Sequence, residues 1–276
     1  MKSPTPVLVS GLFPELRQNL STLLEGLEPE EWLLPTAATR WNVKDIAAHL
    51  LGGDVGILSR KRDRHAPQAD PVAGREGIVG YINRLNESWV EVARRASPRV
   101  LCDLIAFLGP QIEAYFASLD PFAMGGPVTW AGPQPAPLWF DVAREYTERW
   151  HHQQQIRDAT GRVGLYETRL FAPVLDTFVR GLPYTFRDVE AVEGTLVQLT
   201  IAGRVNEHWV LRRDRATWEL LVGRSSMAAA EVTLAAEDAW KIFTRGIRGE
   251  QAMRYASITG DLALASKVLE LVSVIA

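Results

Sequence analysis

A single cysteine, Cys102, occurs in 276 residues. The chain can therefore form no internal disulfide and no thiolate metal cluster. Cys102 lies between Leu101 and Leu104 in an apolar stretch, where a buried structural thiol is expected rather than a nucleophile. Charge excess is equally scarce: the formal net charge is -3, which removes the electrostatic case for a nucleic-acid partner. No span approaches the roughly 20 apolar residues that cross a bilayer, and the N-terminus lacks the continuous apolar region of a signal peptide. A soluble, cytoplasmic protein without a membrane partner is the expectation. Three motifs are also missing: a phosphate-cradling glycine loop, a Gly-x-Ser-x-Gly elbow and a His-Glu-x-x-His helix. Nucleotide hydrolysis and nucleophilic serine chemistry have no support without them. Neither an internal repeat nor a low-complexity stretch is visible.

The composition that is present, 47% hydrophobic and 23% charged, is that of an ordinary globular chain long enough for two domains. Within it, Glu148 and His152 stand four apart in Arg-Glu-Tyr-Thr-Glu-Arg-Trp-His-His-Gln, residues 144–153. On a helix they project from one face about 6 Å apart along the axis, a spacing at which a carboxylate and an imidazole can grip one ion. A divalent metal usually takes three or more protein ligands. His49, in Trp-Asn-Val-Lys-Asp-Ile-Ala-Ala-His-Leu-Leu-Gly-Gly-Asp, residues 41–54, is the third candidate. Two imidazoles and a carboxylate leave positions open for water or substrate, as in a catalytic site. The same spacing also describes a solvated helix face, and a lone His beside Ala48 and Leu50 also describes a hydrogen-bonded core residue.

The words around these residues are more specific than their spacing. Trp41 to Asp54 resembles the segment that opens the second helix of the DinB-like superfamily, in particular its mycothiol-dependent maleylpyruvate isomerase branch. Glu148 to Arg157 resembles that branch's second metal segment, a Glu-x-x-x-His followed by a polar run. The resemblance covers most of residues 10–165 and implies a divalent metal on His49, Glu148 and His152, with a low-molecular-weight thiol such as mycothiol as cosubstrate. It selects His152 over His151, because the family's ligand follows the Glu by four. His151 is then expected at the surface or behind the ligands, with the surface favoured. Glu145 shares the face of Glu148 and is read as solvated, Asp54 as a turn residue, and Trp130, Trp139 and Trp150 as core. Gln155 departs from the pattern: many relatives carry an Asp after the ligand His.

Residues 8–26 predict a first helix with Leu12, Leu16, Leu20 and Leu24 on one face. Asn42 is a candidate N-cap with Asp45 at N3, and Gly52-Gly53 a candidate end or bend. A third helix is expected over Arg75–Ala96, with Ile78, Ile82, Leu85 and Trp89 as its stripe. Ser97-Pro98 opens a fourth, which Pro110 should kink or split. Residues 120–138, rich in Gly and Pro, predict an irregular crossover. The helix bearing Glu148 and His152 runs over Leu138–Thr160.

After Gly161 the period changes from helical to alternating. A helix near residues 167–180 precedes runs at Leu196–Ile201, Trp209–Leu211 and Trp218–Val222, the last two joined by an Asp214–Ala216 turn. A further strand at Val232–Leu234, a helix over Ala236–Arg245 and an amphipathic helix after Asp261 complete the pattern. The fold class is α+β: a DinB-like four-helix bundle over residues 1–165 and a smaller α+β domain over 166–276. The final segment resembles the sterol-carrier-like domain of these relatives, and Arg245 resembles an Arg which that domain presents toward the metal cleft. Such a fork suits a substrate carboxylate, although a helix C-terminus also attracts a cation.

The function implied is a metal-dependent enzyme, acting with a small electrophilic substrate and a thiol, as a monomer or homodimer. The metal lowers the thiol's pKa, and the thiolate adds to the electrophile. Elimination after bond rotation would give the cis–trans isomer, and retention of the adduct would make the protein an S-transferase. Zinc is the first candidate metal, with nickel or ferrous iron as alternatives. Two other classes stay open: a non-catalytic metal- or ligand-binding module, and a metal-dependent hydrolase with water as nucleophile.

Overall fold

The structure, a computed structural model, describes residues 1–65 and 77–274. Its chain divides into two compact units. One comprises Val9–Asp120 and Glu145–Leu165, the other Met1–Leu8, Pro121–Arg144 and Tyr166–Val274.

The first unit is helical. Helix α1 (Phe13–Glu25) carries Pro14 in its first turn and buries Leu16, Leu20, Leu23 and Leu24. Helix α2 (Val43–Ile57) opens with a complete capping box. Asn42 Oδ1 accepts from the Asp45 amide at 2.9 Å, and the Asn42 amide donates to Asp45 Oδ2 at 3.3 Å. Gly52-Gly53 does not end this helix, which continues to Ile57 and a π-turn over Leu58–Arg62. Gly52 instead makes room for a neighbour: a Cβ there would lie 2.4 Å from Cδ1 of Trp89. Trp89 sits on α3 (Gly77–Ala93), with Ile82 and Leu85 half-buried beside it. The expected start at Arg75 and the side chain of Ile78 lie outside the described residues.

Helix α4 (Pro98–Ser118) starts at the Ser97 cap, whose Oγ accepts from the Val100 amide at 3.3 Å. It runs without interruption through Pro110. By length and composition α4 is apolar enough to cross a bilayer, which corrects the expectation that no segment reaches that mark. One of its faces, Leu101, Ile105, Ile112 and Phe116, is buried. Leu24, Ile46, Leu51, Leu101 and Ile105 share one core with Ile156 of α5 (Leu138–Ala159). Cys102 is half-buried against this core, and burial pushes its thiol pKa up, which suits packing and not nucleophilic attack.

In the second unit, residues 120–138 are not wholly irregular: β1 (Met124–Pro127) and β2 (Pro135–Pro137) pair antiparallel. Helices α6 (Thr168–Val179) and α7 (Leu182–Thr185) follow. Strands β3 (Leu196–Ala202), β4 (Glu207–Asp214) and β5 (Thr217–Val222) form an antiparallel meander. Strand β6 (Ala230–Ala235) then pairs parallel to β3. After α8 (Ala236–Phe243) come two elements that the sequence pattern had not suggested, α9 (Gly249–Tyr255) and β7 (Ala256–Gly260). The sheet order is β5-β4-β3-β6-β7. Asp261 caps α10 (Leu262–Val268), which packs on β6 and β7. Together the two units give the α+β class.

Candidate metal centre

Helix α5 is an unusual core element. Thr147, His151, His152, Gln153, Gln154 and Gln155 are all buried on it beside the apolar Tyr146, Trp150 and Ile156. The amides are spent on specific partners. Gln153 Nε2 donates to the Leu16 carbonyl at 3.1 Å, and Gln154 Oε1 accepts from the Leu165 amide at 2.9 Å. Trp150, fully buried, donates its indole N–H to the Leu165 carbonyl at 2.9 Å. These bonds tie α5 to α1 and to the chain that follows it, so its rotation is fixed by polar contacts.

On this helix Glu148 Oε2 lies 3.3 Å from His152 Nε2. His49 of α2 faces them, with its ring 4.6 Å from that of His152. One ligand atom from each of His49, Glu148 and His152 lies within 4.8 Å of the others. Two donors 2.1 Å from a tetrahedral zinc ion sit about 3.4 Å apart. The Glu148–His152 pair has about that separation, and a His49 nitrogen lies within 4.8 Å of both. Donor type, number and spacing therefore fit a divalent ion.

The surroundings prepare the ligands. His152 Nδ1 is 2.9 Å from Gln155 Oε1. An amide oxygen can only accept, so Nδ1 donates to it and Nε2 is the ring nitrogen turned toward Glu148. His49 has Trp41 against its ring at 4.7 Å. Burial, and then the neighbouring His152, push the His49 pKa down to about 3, outweighing the pull of Glu148. A neutral imidazole is the form that binds metal. Trp89 Nε1 donates to the Ala48 carbonyl at 2.8 Å, and Arg94 forks onto Asp45 at 2.9 and 3.0 Å, which steadies the turn of α2 that leads into His49.

Three residues differ from their sequence readings. His151 is buried, not superficial, with its ring 5.0 Å from His152. Burial and His152 lower its pKa to about 3. Glu145 is buried, not solvated, and accepts from Arg149 Nη1 at 2.8 Å. Asp54 is no turn residue: it lies buried within α2 and accepts from Arg149 Nη2 at 2.5 Å. Arg149 belongs to no motif in the sequence; its place directly beside Glu148, next to the buried Trp150, is the signal that could have marked it.

Arg245 belongs to the sheet-bearing unit. It follows α8 at φ 63, in the left-handed region, and is exposed. Its amide donates to the Ile242 carbonyl at 3.0 Å, as at a helix C-terminus. Trp130 is buried edge-on to Phe140, on which Trp139 stacks. A hollow of about 420 Å³ lies in that same unit between Phe140, Tyr184, Arg187 and Trp218, and none of His49, Glu148 and His152 lines it.

The sequence profile of the mycothiol maleylpyruvate isomerase N-terminal domain matches residues 13–157, more than half of the chain. Among solved structures, the crystal structure of the mycothiol-dependent maleylpyruvate isomerase superposes with a TM-score of 0.55 over 92% of each chain at 11% identity. A histidine-to-alanine mutant of that enzyme gives 0.54 with the same coverage and identity. A sterol carrier protein 2 like 2 from Aedes aegypti overlaps 36% of this chain and 95% of its own, with a TM-score of 0.29 and 19% identity. No curated protein matches the sequence.

Proposed function

The chain belongs to the mycothiol maleylpyruvate isomerase N-terminal domain family, and on that premise we propose that it is a metal-dependent enzyme that uses a low-molecular-weight thiol, of the mycothiol kind, for isomerisation or S-transfer on a small electrophile. The observation that carries this reading is the convergence of His49, Glu148 and His152 on one point. These three residues would hold the ion, zinc in the first instance. A divalent ion bound there supplies a Lewis acid that keeps a coordinated thiol in its thiolate form near neutral pH. Three ligands leave room beside the ion for that thiol.

The protein's part is preparation. His49 is held neutral by its surroundings, so metal does not have to displace a proton from it. Gln155 fixes the His152 tautomer through Nδ1. Trp41 covers one side of His49 and restricts the ring. Arg245 is our candidate anchor for a substrate carboxylate, because it is exposed and its guanidinium can meet two oxygens at once.

The test is a zinc titration of the metal-stripped protein, followed by assays of maleylpyruvate isomerisation and of thiol conjugation with and without mycothiol. Changing His49, Glu148 or His152 to Ala should lower metal affinity by about a hundredfold or more, since loss of residues that merely orient ligands already costs 10–100-fold. Turnover should require both metal and thiol. Metal binding without thiol-dependent turnover would favour the binding-module reading, and thiol-independent hydrolysis the hydrolase. Arg245→Lys should raise KM for an acidic electrophile while leaving metal content unchanged, because lysine keeps the charge and loses the fork.

A further inference from the structure

Arg149 stands next to Glu148 in sequence, yet its side chain takes a different direction and is only 14% exposed. Nη2 reaches Asp54 Oδ1 on α2 at 2.5 Å, and Nη1 reaches Glu145 Oε2 on α5 itself at 2.8 Å. The guanidinium also lies over the rings of Phe13 on α1 at 5.7 Å and Phe116 on α4 at 5.5 Å. One buried cation thus meets α1, α2, α4 and α5. Close by, Arg17 pairs with Glu113 across α1 and α4. Arg17 occupies the space that a side chain at Gly109 would need, since a Cβ there would fall 2.0 Å from Arg17 Cδ.

Stability alone does not account for such a group. A buried ion pair can usually be replaced by apolar side chains of similar volume without loss, because desolvation consumes most of the Coulombic gain. A planar fork held by two carboxylates supplies direction, which apolar packing does not. Successive residues on a helix point about 100° apart, so fixing where Arg149 points fixes where Glu148 points. The other end of the fork holds Asp54, on the same helix as His49 and one and a half turns beyond it.

We propose that Arg149, clasped between Asp54 and Glu145, is a positioning residue that sets the rotation and register of α5 against α2, so that Glu148 and His152 meet His49 at metal-binding distance. It touches no ligand atom and acts through the helices. This inference rests on the metal centre described above, and its test keeps the two apart.

Zinc affinity is measured by chelator competition on the full chain, with nickel in parallel, and thermal stability on the metal-free protein. Arg149→Lys keeps the buried charge but cannot span both carboxylates. The combined variant Arg149→Met, Asp54→Leu, Glu145→Met removes the whole clasp and leaves no orphaned charge. We expect the combined variant to melt within a few degrees of the unaltered protein and to bind zinc at least tenfold more weakly, with Arg149→Lys also weakened severalfold. A clasp that only stabilises the bundle would give the opposite result, full zinc affinity in both variants, and that overturns the proposal. Should the combined variant fail to fold, Arg149→Lys decides alone on the same criterion. If the unaltered protein binds neither metal, or binds it equally after His49→Ala, the metal centre itself is refuted and the positioning role with it.

Discussion

In the sheet-bearing unit the buried polar side chains Thr177, Gln198, Thr244 and Ser273 are all neutral. Each gives its donor to a backbone carbonyl: Pro173, Trp209, Trp240 and Phe178, at 2.7 to 3.0 Å. In the helical unit the buried polar groups also include charges and imidazoles, and Asp45, Asp54, Glu145 and His152 bond to other side chains. The first set completes a backbone ladder or ties one segment to another. The second places charges and imidazoles inside a bundle, where desolvation is costly and each group depends on its neighbours. Buried polarity in one unit is neutral and tied to backbone, and in the other it includes charges tied to side chains.

The contrast can be broken most severely with acid. In the metal-free protein His49 and His151 titrate near pH 3 when folded and near 6.5 when unfolded. Between those values the unfolded chain binds more protons, so folding stability rises with pH across the window. It is complete above about 6.5 and is lost as pH falls toward 3. Urea titrations at pH 7 and pH 4.5 should differ by on the order of a few kcal/mol, allowing for partial exposure of His49. Saturating zinc at pH 7 should shift the midpoint upward. A midpoint independent of pH across this range would mean that both imidazoles are protonated in place.

A smaller effect is expected at Gln155. Gln155→Leu leaves His152 Nδ1 without its acceptor, and zinc affinity should drop 10–100-fold. Gln155→Glu, which offers a charged acceptor of the same length, should bind zinc at least as tightly as the unaltered protein. Equal affinity for Gln155→Leu would show that the amide does not orient the ligand.

The smallest effect should come from the other unit. Ser273→Ala removes the donor to the Phe178 carbonyl and should cost about 1–3 kcal/mol of stability. Zinc affinity should not change. A Ser273→Ala variant with altered zinc binding would erase the distinction between the two kinds of buried polarity.

Local signals in the sequence translated directly into structure. The Asn42 and Ser97 caps, the alternation over Leu196–Val222 and the change of period after Gly161 each depend on a few neighbouring residues. Strand β7 escaped because Ala256–Gly260 is a short edge with little buried surface, and its alternation spans only Ala256 to Thr259. The continuation of α2 through Gly52 escaped because its cause, Trp89, sits on another helix. The roles of Asp54, Glu145 and His151 escaped for a related reason. A charged or polar helix residue reads as solvated or as part of a turn, and only neighbours distant in the chain show otherwise.

The sequence by itself determined that Glu148 and His152 share a helix face, since a spacing of four and a period of 3.6 leave no other outcome once α5 forms. It also determined where α2 begins, through Asn42 and Asp45. Only the tertiary structure decided that His49, 99 positions before Glu148, would face that pair, and that Arg149 would be clasped by Asp54 from the other helix. Helical geometry is set by bonds between residues four apart. The meeting of α2 and α5 is set by packing and desolvation among residues that chain spacing does not relate.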